Sequence, residues 1–116
     1  MTANDEVRLR HLLDAAREAV NFTKSGSRAD LEKDPKLLLA LTRLLEIIGE
    51  AARGLSPALR DENPQIPWRK MVGMRDRLIH GYYDVNPDVV WGTTAHDLPP
   101  LIVQVESLLK SGGRPW

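Results

Sequence analysis

Residues 35–54 read PKLLLALTRLLEIIGEAARG and form the most apolar segment of the chain. Pro35 follows Asp34, an order typical of a helix that has aspartate as its cap and proline as its first residue. Apolar side chains cover more than one side of this helix, which predicts a central position in a bundle or a surface shared with a second subunit. Gly49 lies in a patch of small residues that would let another backbone approach closely. Glu50 beside it is either an exposed side chain or an interface or supporting carboxylate.

The sequence upstream of this segment predicts another long helix. Apolar residues recur at mostly helical spacing from about Asn4 or Asp5 to Lys24. Asn4 or Asp5 would cap this helix. Val7 and Phe22 belong to the apolar stripe that we expect in the core.

Prolines mark the remaining helix starts. Ser56-Pro57 and Asn86-Pro87 repeat the order of a capping residue followed by proline, and Pro67 opens another helix. Pro99-Pro100 falls inside a continuing apolar pattern, so the last helix is kinked there or rebuilt as two. No segment alternates with a period of two for long. The predicted fold is all-α, a single-domain antiparallel bundle of about five helices over residues 1–116.

Composition excludes several function classes. The 116 residues suit one domain, and 16 basic against 16 acidic residues leave no global positive field for nucleic acid. The absence of cysteine removes disulfides, thiolate metal sites and cysteine nucleophiles, and it fits a reducing cytoplasm. No apolar run approaches the roughly 20 residues that cross a bilayer. The three histidines lack the paired spacing of metal ligands. We therefore expect a cytoplasmic protein without membrane, metal or cofactor.

Reactive side chains crowd most closely in residues 74–85, which read MRDRLIHGYYDV. A histidine can take or give a proton near neutral pH, and an arginine presents a fork of donors that matches phosphate oxygens. Arg75 and His80 together suit phosphodiester chemistry. Gly81 predicts a helix end in the left-handed conformation, with His80 in the last turn.

The spacing of the two residues raises a geometric problem. On an ideal helix Arg75 and His80 point about 140° apart. The last turn departs from α geometry, or the long arginine swings round, or a second copy of the chain completes the pair. Asp76 stands four residues before His80 and would orient the imidazole. The structural alternative is a solvated helix face with no catalytic role.

The same helix carries a local basic patch. Residues 68–80 hold Arg69, Lys70, Arg75 and Arg77 against Asp76 alone, an excess of three positive charges. Arg69, Lys70 and Arg77 are therefore candidate RNA contacts. Trp68 at the start of this helix is expected in the core rather than as a platform for stacked bases.

Arg75, His80 and Tyr82 match the R-x4-H-x-Y signature of HepT toxins, a branch of the HEPN ribonuclease superfamily. The chain resembles that family over nearly its whole length, in the order Ile48-Gly49-Glu50-Ala51-Ala52, Pro67-Trp68, Val89-Val90-Trp91 and Asp97-Leu98-Pro99-Pro100-Leu101. The resemblance implies a metal-independent endoribonuclease, the toxin of a type VII-like toxin and antitoxin pair. His80 would be its general acid or base and Arg75 its phosphate ligand.

The resemblance also implies partners. HEPN ribonucleases generally act as dimers that bring two signatures to one cleft, so a homodimer is expected. The HepT partner is a small nucleotidyltransferase of the MntA type, which adenylylates the tyrosine of the signature, here Tyr82. Tyr83 is a rival acceptor. The other hypothesis is a noncatalytic helical module that binds the nucleotidyltransferase and a nucleotide or RNA, with Arg75 and His80 as anion ligands only.

Overall fold

The computed structural model describes residues 1–81 and 85–112, which contain helices and no strand. The helices are α1 (Ala3–Thr23), α2 (Asp30–Lys33), α3 (Pro35–Arg53), α4 (Pro57–Glu62), α5 (Trp68–His80), α6 (Pro87–Gly92) and α7 (Leu98–Lys110), with a π-helical segment at Thr93–Asp97. The predicted all-α class is confirmed. The described residues contain more helices than the five predicted, because the connection after α1 contains the short α2 and the C-terminal part is divided into α6, the π-helical segment and α7.

Helix α3 is the centre of the bundle, as its apolar pattern predicts. Asp34 caps it, accepting hydrogen bonds from the backbone N–H groups of Lys36 and Leu37. Helices α1 and α5 are its main neighbours, and α7 packs against α1. The α3 residues buried in these contacts are Leu41, Leu44, Leu45, Ile48, Gly49, Ala51 and Ala52.

One strip of α3 stays on the surface. Leu39 is 70% exposed, and Arg43 follows it by one helical turn. The Arg43 guanidinium lies 3.2 Å from the Glu46 carboxylate and 3.5 Å from the Glu50 carboxylate. Glu50 is therefore exposed and ion-paired in the single chain.

The cap of helix α1 lies two to three residues earlier than its sequence pattern indicates. Thr2 is the cap: its hydroxyl accepts from the Asp5 N–H at 3.0 Å, and the Asp5 carboxylate accepts from the Thr2 N–H at 3.4 Å. The prediction that Val7 and Phe22 lie in the core was wrong, because they stand 50% and 45% exposed. The strip that packs inward consists of Leu9, Leu12, Leu13, Ala15, Ala16 and Ala19.

Asp5 joins the start of α1 to the start of α4. Only 2% of the residue is exposed, and its carboxylate accepts from the Ser56 N–H at 2.8 Å and the Ser56 hydroxyl at 2.7 Å. Burial alone raises the pKa of Asp5, but the hydrogen bonds from Ser56 and Thr2 outweigh it and hold the pKa below the ordinary 3.8.

Asp5→Asn should lower the free energy of unfolding at pH 7 by about 1–3 kcal/mol. The NH2 group of asparagine is a donor, and it would face groups of Thr2 and Ser56 that also donate. The wild-type carboxylate stabilises the fold fully above the ordinary pKa of 3.8, and this stability is lost as the pH falls through the lower folded-state value. Urea unfolding at pH 7 and at about pH 2 measures both effects. Asp14→Asn, on the exposed side of α1, is the control. Equal stability of Asp5→Asn and Asp14→Asn at pH 7 would contradict the role of Asp5.

The C-terminal helix is divided in two, as Pro99-Pro100 allows, but the break precedes the prolines. They occupy the second and third positions of α7, where a missing N–H costs little. The π segment before them carries the chain from α6 into α7 with its wider hydrogen-bond spacing. None of the described helices is long and apolar enough to cross a membrane.

Candidate active site

Helix α5 carries the candidate site and is anchored through one face. Trp68, Met71 and Leu78 are its buried residues, and α3 is its main neighbour. The Trp68 ring is core, as predicted, with 6% of the residue exposed. Its indole N–H donates to the Asn63 carbonyl oxygen at 3.0 Å, which fixes the first turn of α5. These contacts leave the opposite face of the helix in solvent.

The helix ends at His80, as the sequence predicts, but Gly81 closes it in a different way. Its φ of −109° is outside the left-handed region, so that expectation was wrong. The Gly81 N–H donates to the Arg77 carbonyl oxygen at 2.8 Å. A Cβ atom at Gly81 would lie 2.9 Å from that oxygen. Close approach, not backbone handedness, favours glycine here.

Arg75 is held against α3 by its aliphatic stem. A Cβ atom added to Gly49 would lie 2.2 Å from the Arg75 Cβ and 2.7 Å from the Met71 carbonyl oxygen. The two helices therefore touch at a point that only glycine can occupy. The Arg75 side chain is 20% exposed, and its Nε is buried without a hydrogen-bond partner in the described part of the chain. The sequence indicated a close approach at Gly49 but not that Arg75 is the residue approached.

Asp76 contacts Arg75 and not His80. Its Oδ1 accepts from the Arg75 Nη1 at 3.0 Å, a charge-assisted bond that outcompetes the weaker pairing with an imidazole four residues away. The prediction that Asp76 orients His80 is therefore corrected: in this structure the carboxylate holds the guanidinium. His80 is exposed, and within residues 1–81 and 85–112 its ring makes no hydrogen bond.

Arg75 and His80 stay on different sides of α5. The helix is α-helical through His80, so the alternative that its last turn departs from α geometry was wrong. The arginine does not swing to the histidine either, because its stem packs on Gly49 and its head group binds Asp76. Tyr82 and Tyr83 lie outside the described residues. Within one chain the candidate pair is near in sequence but not in contact.

The basic residues of α5 differ in whether they form ion pairs. The Lys70 ammonium is 3.0 Å from the Asp97 carboxylate of the π segment, which reduces the positive excess that residues 68–80 show by themselves. Arg69 and Arg77 are exposed and form no ion pair with any described residue. Arg69 and Lys70 line a groove of about 640 Å³ together with Arg60 and Asp61 of α4. Arg60 could not be identified from the sequence, because no local pattern places α4 beside the start of α5.

A second pocket, of about 260 Å³, lies at the other end of α5. Its walls come from α5, from α6 and from the residues that precede α6. The lining residues are Met74, Arg77, Leu78, Gly81, Val85, Asn86, Val89 and Val90. No group of three or more histidine, aspartate or glutamate side chains in the described residues is arranged to hold a metal ion.

Comparisons with known proteins agree on one family. A family profile described as "Ribonuclease HepT-like" matches residues 12–108. The chain is 39% identical over 102 residues to a protein of Caldanaerobacter subterraneus subsp. tengcongensis named as a candidate RNase, covering 88% of this chain and 91% of that protein. It is 38% identical over 102 residues to a protein of Thermococcus cleftensis named a probable ribonuclease HepT, covering 88% and 93% of the two chains. No solved structure matches significantly.

Proposed function

Because the chain belongs to the HepT-like ribonuclease family, we propose that it is a metal-independent endoribonuclease whose site consists of Arg75 and His80. One observation supports this most directly: an exposed histidine ends the same helix on which an arginine is anchored at the contact with Gly49. The histidine is free to exchange a proton, and the arginine is held ready for an anion.

The proposed reaction uses a nucleophile that belongs to the RNA. His80 takes the proton of a ribose 2′-hydroxyl, whose oxygen attacks the neighbouring phosphorus, and the bond from phosphorus to the 5′ oxygen breaks. The leaving 5′ oxygen takes a proton from water or from a second imidazole. Arg75 stabilises the charge that develops on the phosphoryl oxygens. The products are a 2′,3′-cyclic phosphate and a 5′-hydroxyl, and Asp76 assists by holding the guanidinium.

A second copy of the chain would complete the site. Arg75 and His80 point about 140° apart on a regular helix, and neither contacts the other within one chain. Two α5 helices that face each other across a dimer axis would bring the arginine of one copy to the histidine of the other. The exposed face of α5 is available for such a contact.

The proposed regulation is adenylylation of Tyr82 by a nucleotidyltransferase of the MntA type, which would make the chain the toxin of a toxin and antitoxin pair. Tyr82 follows His80 by two residues. An AMP group there would put bulk and negative charge where the RNA phosphate must bind. Tyr83 is the alternative acceptor.

The decisive experiment is cleavage of a labelled RNA by the purified chain in EDTA. We expect cyclic phosphate ends, and a substrate with a single 2′-deoxy nucleotide at the cut site should not be cut, because it lacks the nucleophile. Cleavage of that substrate, or a requirement for added metal, would contradict the mechanism. The intact mass must be read beside the gel, because an already adenylylated chain would also be inactive.

The second part of the experiment tests regulation. After incubation with the nucleotidyltransferase and ATP, the mass should rise by AMP and cleavage should stop, while Tyr82→Phe should gain no AMP and keep cutting. If Tyr83→Phe gained no AMP and Tyr82→Phe still did, the acceptor would be Tyr83.

The Asp76 contact favours a second candidate, a noncatalytic module that binds the nucleotidyltransferase and a nucleotide or RNA. Arg75 is already paired with Asp76 in the single chain, and this counter-charge would weaken the stabilisation of a transition state by the guanidinium. An unmodified, folded chain that binds RNA and cuts none in the EDTA assay would favour this candidate over the nuclease.

A further inference from the structure

The 260 Å³ pocket at the end of α5 is lined by both apolar and polar groups. Met74 and Leu78 of α5 form one wall, and Val89 and Val90 of α6 form the other. Apolar side chains on two sides and polar groups between them suit a flat ring that contacts the apolar side chains and is held by hydrogen bonds at its edge.

The polar side chains of the pocket offer donors. Arg77 is exposed, and its guanidinium pairs with no described residue. Asn86 caps α6: its Oδ1 accepts from the Asp88 N–H at 2.8 Å, so the group left for a ligand is its Nδ2 amide. The Asp88 carboxylate beside it pairs with Arg28. The pocket therefore favours a ligand whose edge carries hydrogen-bond acceptors.

The pocket adjoins the proposed cutting site. Arg77 precedes His80 by three residues, so their Cβ atoms lie about 5–6 Å apart on one side of the helix. Met74, Arg77, Leu78 and Gly81 follow helical spacing and together form the α5 side of the pocket. A base beside a phosphate at His80 would be within reach of this pocket.

We propose that this pocket binds the guanine next to the cleaved phosphate and that Arg77 reads it, a specificity that rests on the proposed ribonuclease function. Guanine presents two adjacent acceptors, O6 and N7, that match the arginine fork. Adenine has an amino donor in place of O6, which would meet the donors of Arg77. Uracil and cytosine lack the paired acceptors of the purine edge.

The test compares four RNAs that differ only in the base next to the cut site. Wild type should favour guanine over adenine by about 10–100-fold. Arg77→Ala should remove this preference, while Arg77→Lys should keep only part of it because an ammonium lacks the rigid planar fork of the guanidinium. Arg69→Ala is the matched control: it removes an exposed, unpaired arginine from the same helix outside the pocket, so it should weaken all four RNAs equally and reduce the salt dependence.

Three results would overturn the proposal: no guanine preference in wild type, an unchanged preference in Arg77→Ala, or an equal loss for all four RNAs in that variant, which is the behaviour of a phosphate contact. Binding of the same RNAs, measured by fluorescence titration, separates this inference from the proposed function. A guanine preference in binding without any cleavage would refute the nuclease and support the pocket. Cleavage without base preference would support the nuclease and refute the guanine pocket.

Discussion

Replacing His80 with alanine is expected to lower the rate of RNA cleavage by about 10²–10⁴-fold, the usual loss when a general acid or base is removed. The fold should not change. His80 is exposed at the end of α5 and its ring makes no hydrogen bond in the described part of the chain, so its removal costs little packing. Single-turnover cleavage measures the rate of the variant, and thermal unfolding measures its stability.

His11→Ala is the matched control, because His11 is an exposed histidine on α1. It should cut RNA like wild type. Retention of activity in His80→Ala, or a comparable loss in His11→Ala, would remove His80 from the mechanism.

His80→Ala also tests whether two copies of the chain share the site. If Arg75 of one copy works with His80 of the other, mixing inactive Arg75→Ala and His80→Ala chains would restore about a quarter of the wild-type activity, since half the dimers are mixed and each has one intact site of two. A site contained within one chain would give no recovery.

Gly49→Ala should lower the free energy of unfolding by about 1–3 kcal/mol, the range of an overpacked core. The added methyl would lie 2.2 Å from the Arg75 Cβ and 2.7 Å from the Met71 carbonyl oxygen, so α3 and α5 must separate. Because Arg75 moves with α5, cleavage should fall as well, by about 10²-fold for a displacement near 1 Å. Urea unfolding and the cleavage assay measure the two effects.

Gly73→Ala controls for the general effect of removing a helical glycine. A Cβ atom there meets nothing within 4 Å, so the alanine should raise the free energy of unfolding by about 0.5–1 kcal/mol through helix propensity. If Gly49→Ala were as stable and active as Gly73→Ala, the contact with Gly49 would not position Arg75.

Helix starts could be predicted because their causes are local. The order of a capping side chain followed by proline at Asp34, Ser56 and Asn86 correctly located α3, α4 and α6. Each cap bonds to a backbone N–H two or three residues away, so the necessary information lies within one turn. The predicted start of α1 was too late although its cause is equally local, because Thr2 and Asp5 form a reciprocal capping box.

The candidate site could be predicted only in part. His80 and Arg75 were identified from residue type and spacing, and the end of α5 at His80 is confirmed. Asp76 binds the adjacent Arg75 and not His80, because helical spacing indicates only a possible partner four residues away and side-chain packing decides which group the carboxylate contacts. The basic patch was overestimated for a similar reason: Asp97 reaches Lys70 from a segment that is distant in sequence.

The sequence by itself determined the all-α class, the central apolar helix and the types of reactive side chain, since each follows from periodicity, capping and the chemistry of single residues. Only the tertiary structure decided that Gly49 meets Arg75, that Asp5 binds Ser56, and that Arg77 lines a pocket with Asn86. The physical reason is that a helical pattern specifies which face of a helix turns inward. It does not specify which residue of another helix that face will meet, because that depends on how all the faces pack together.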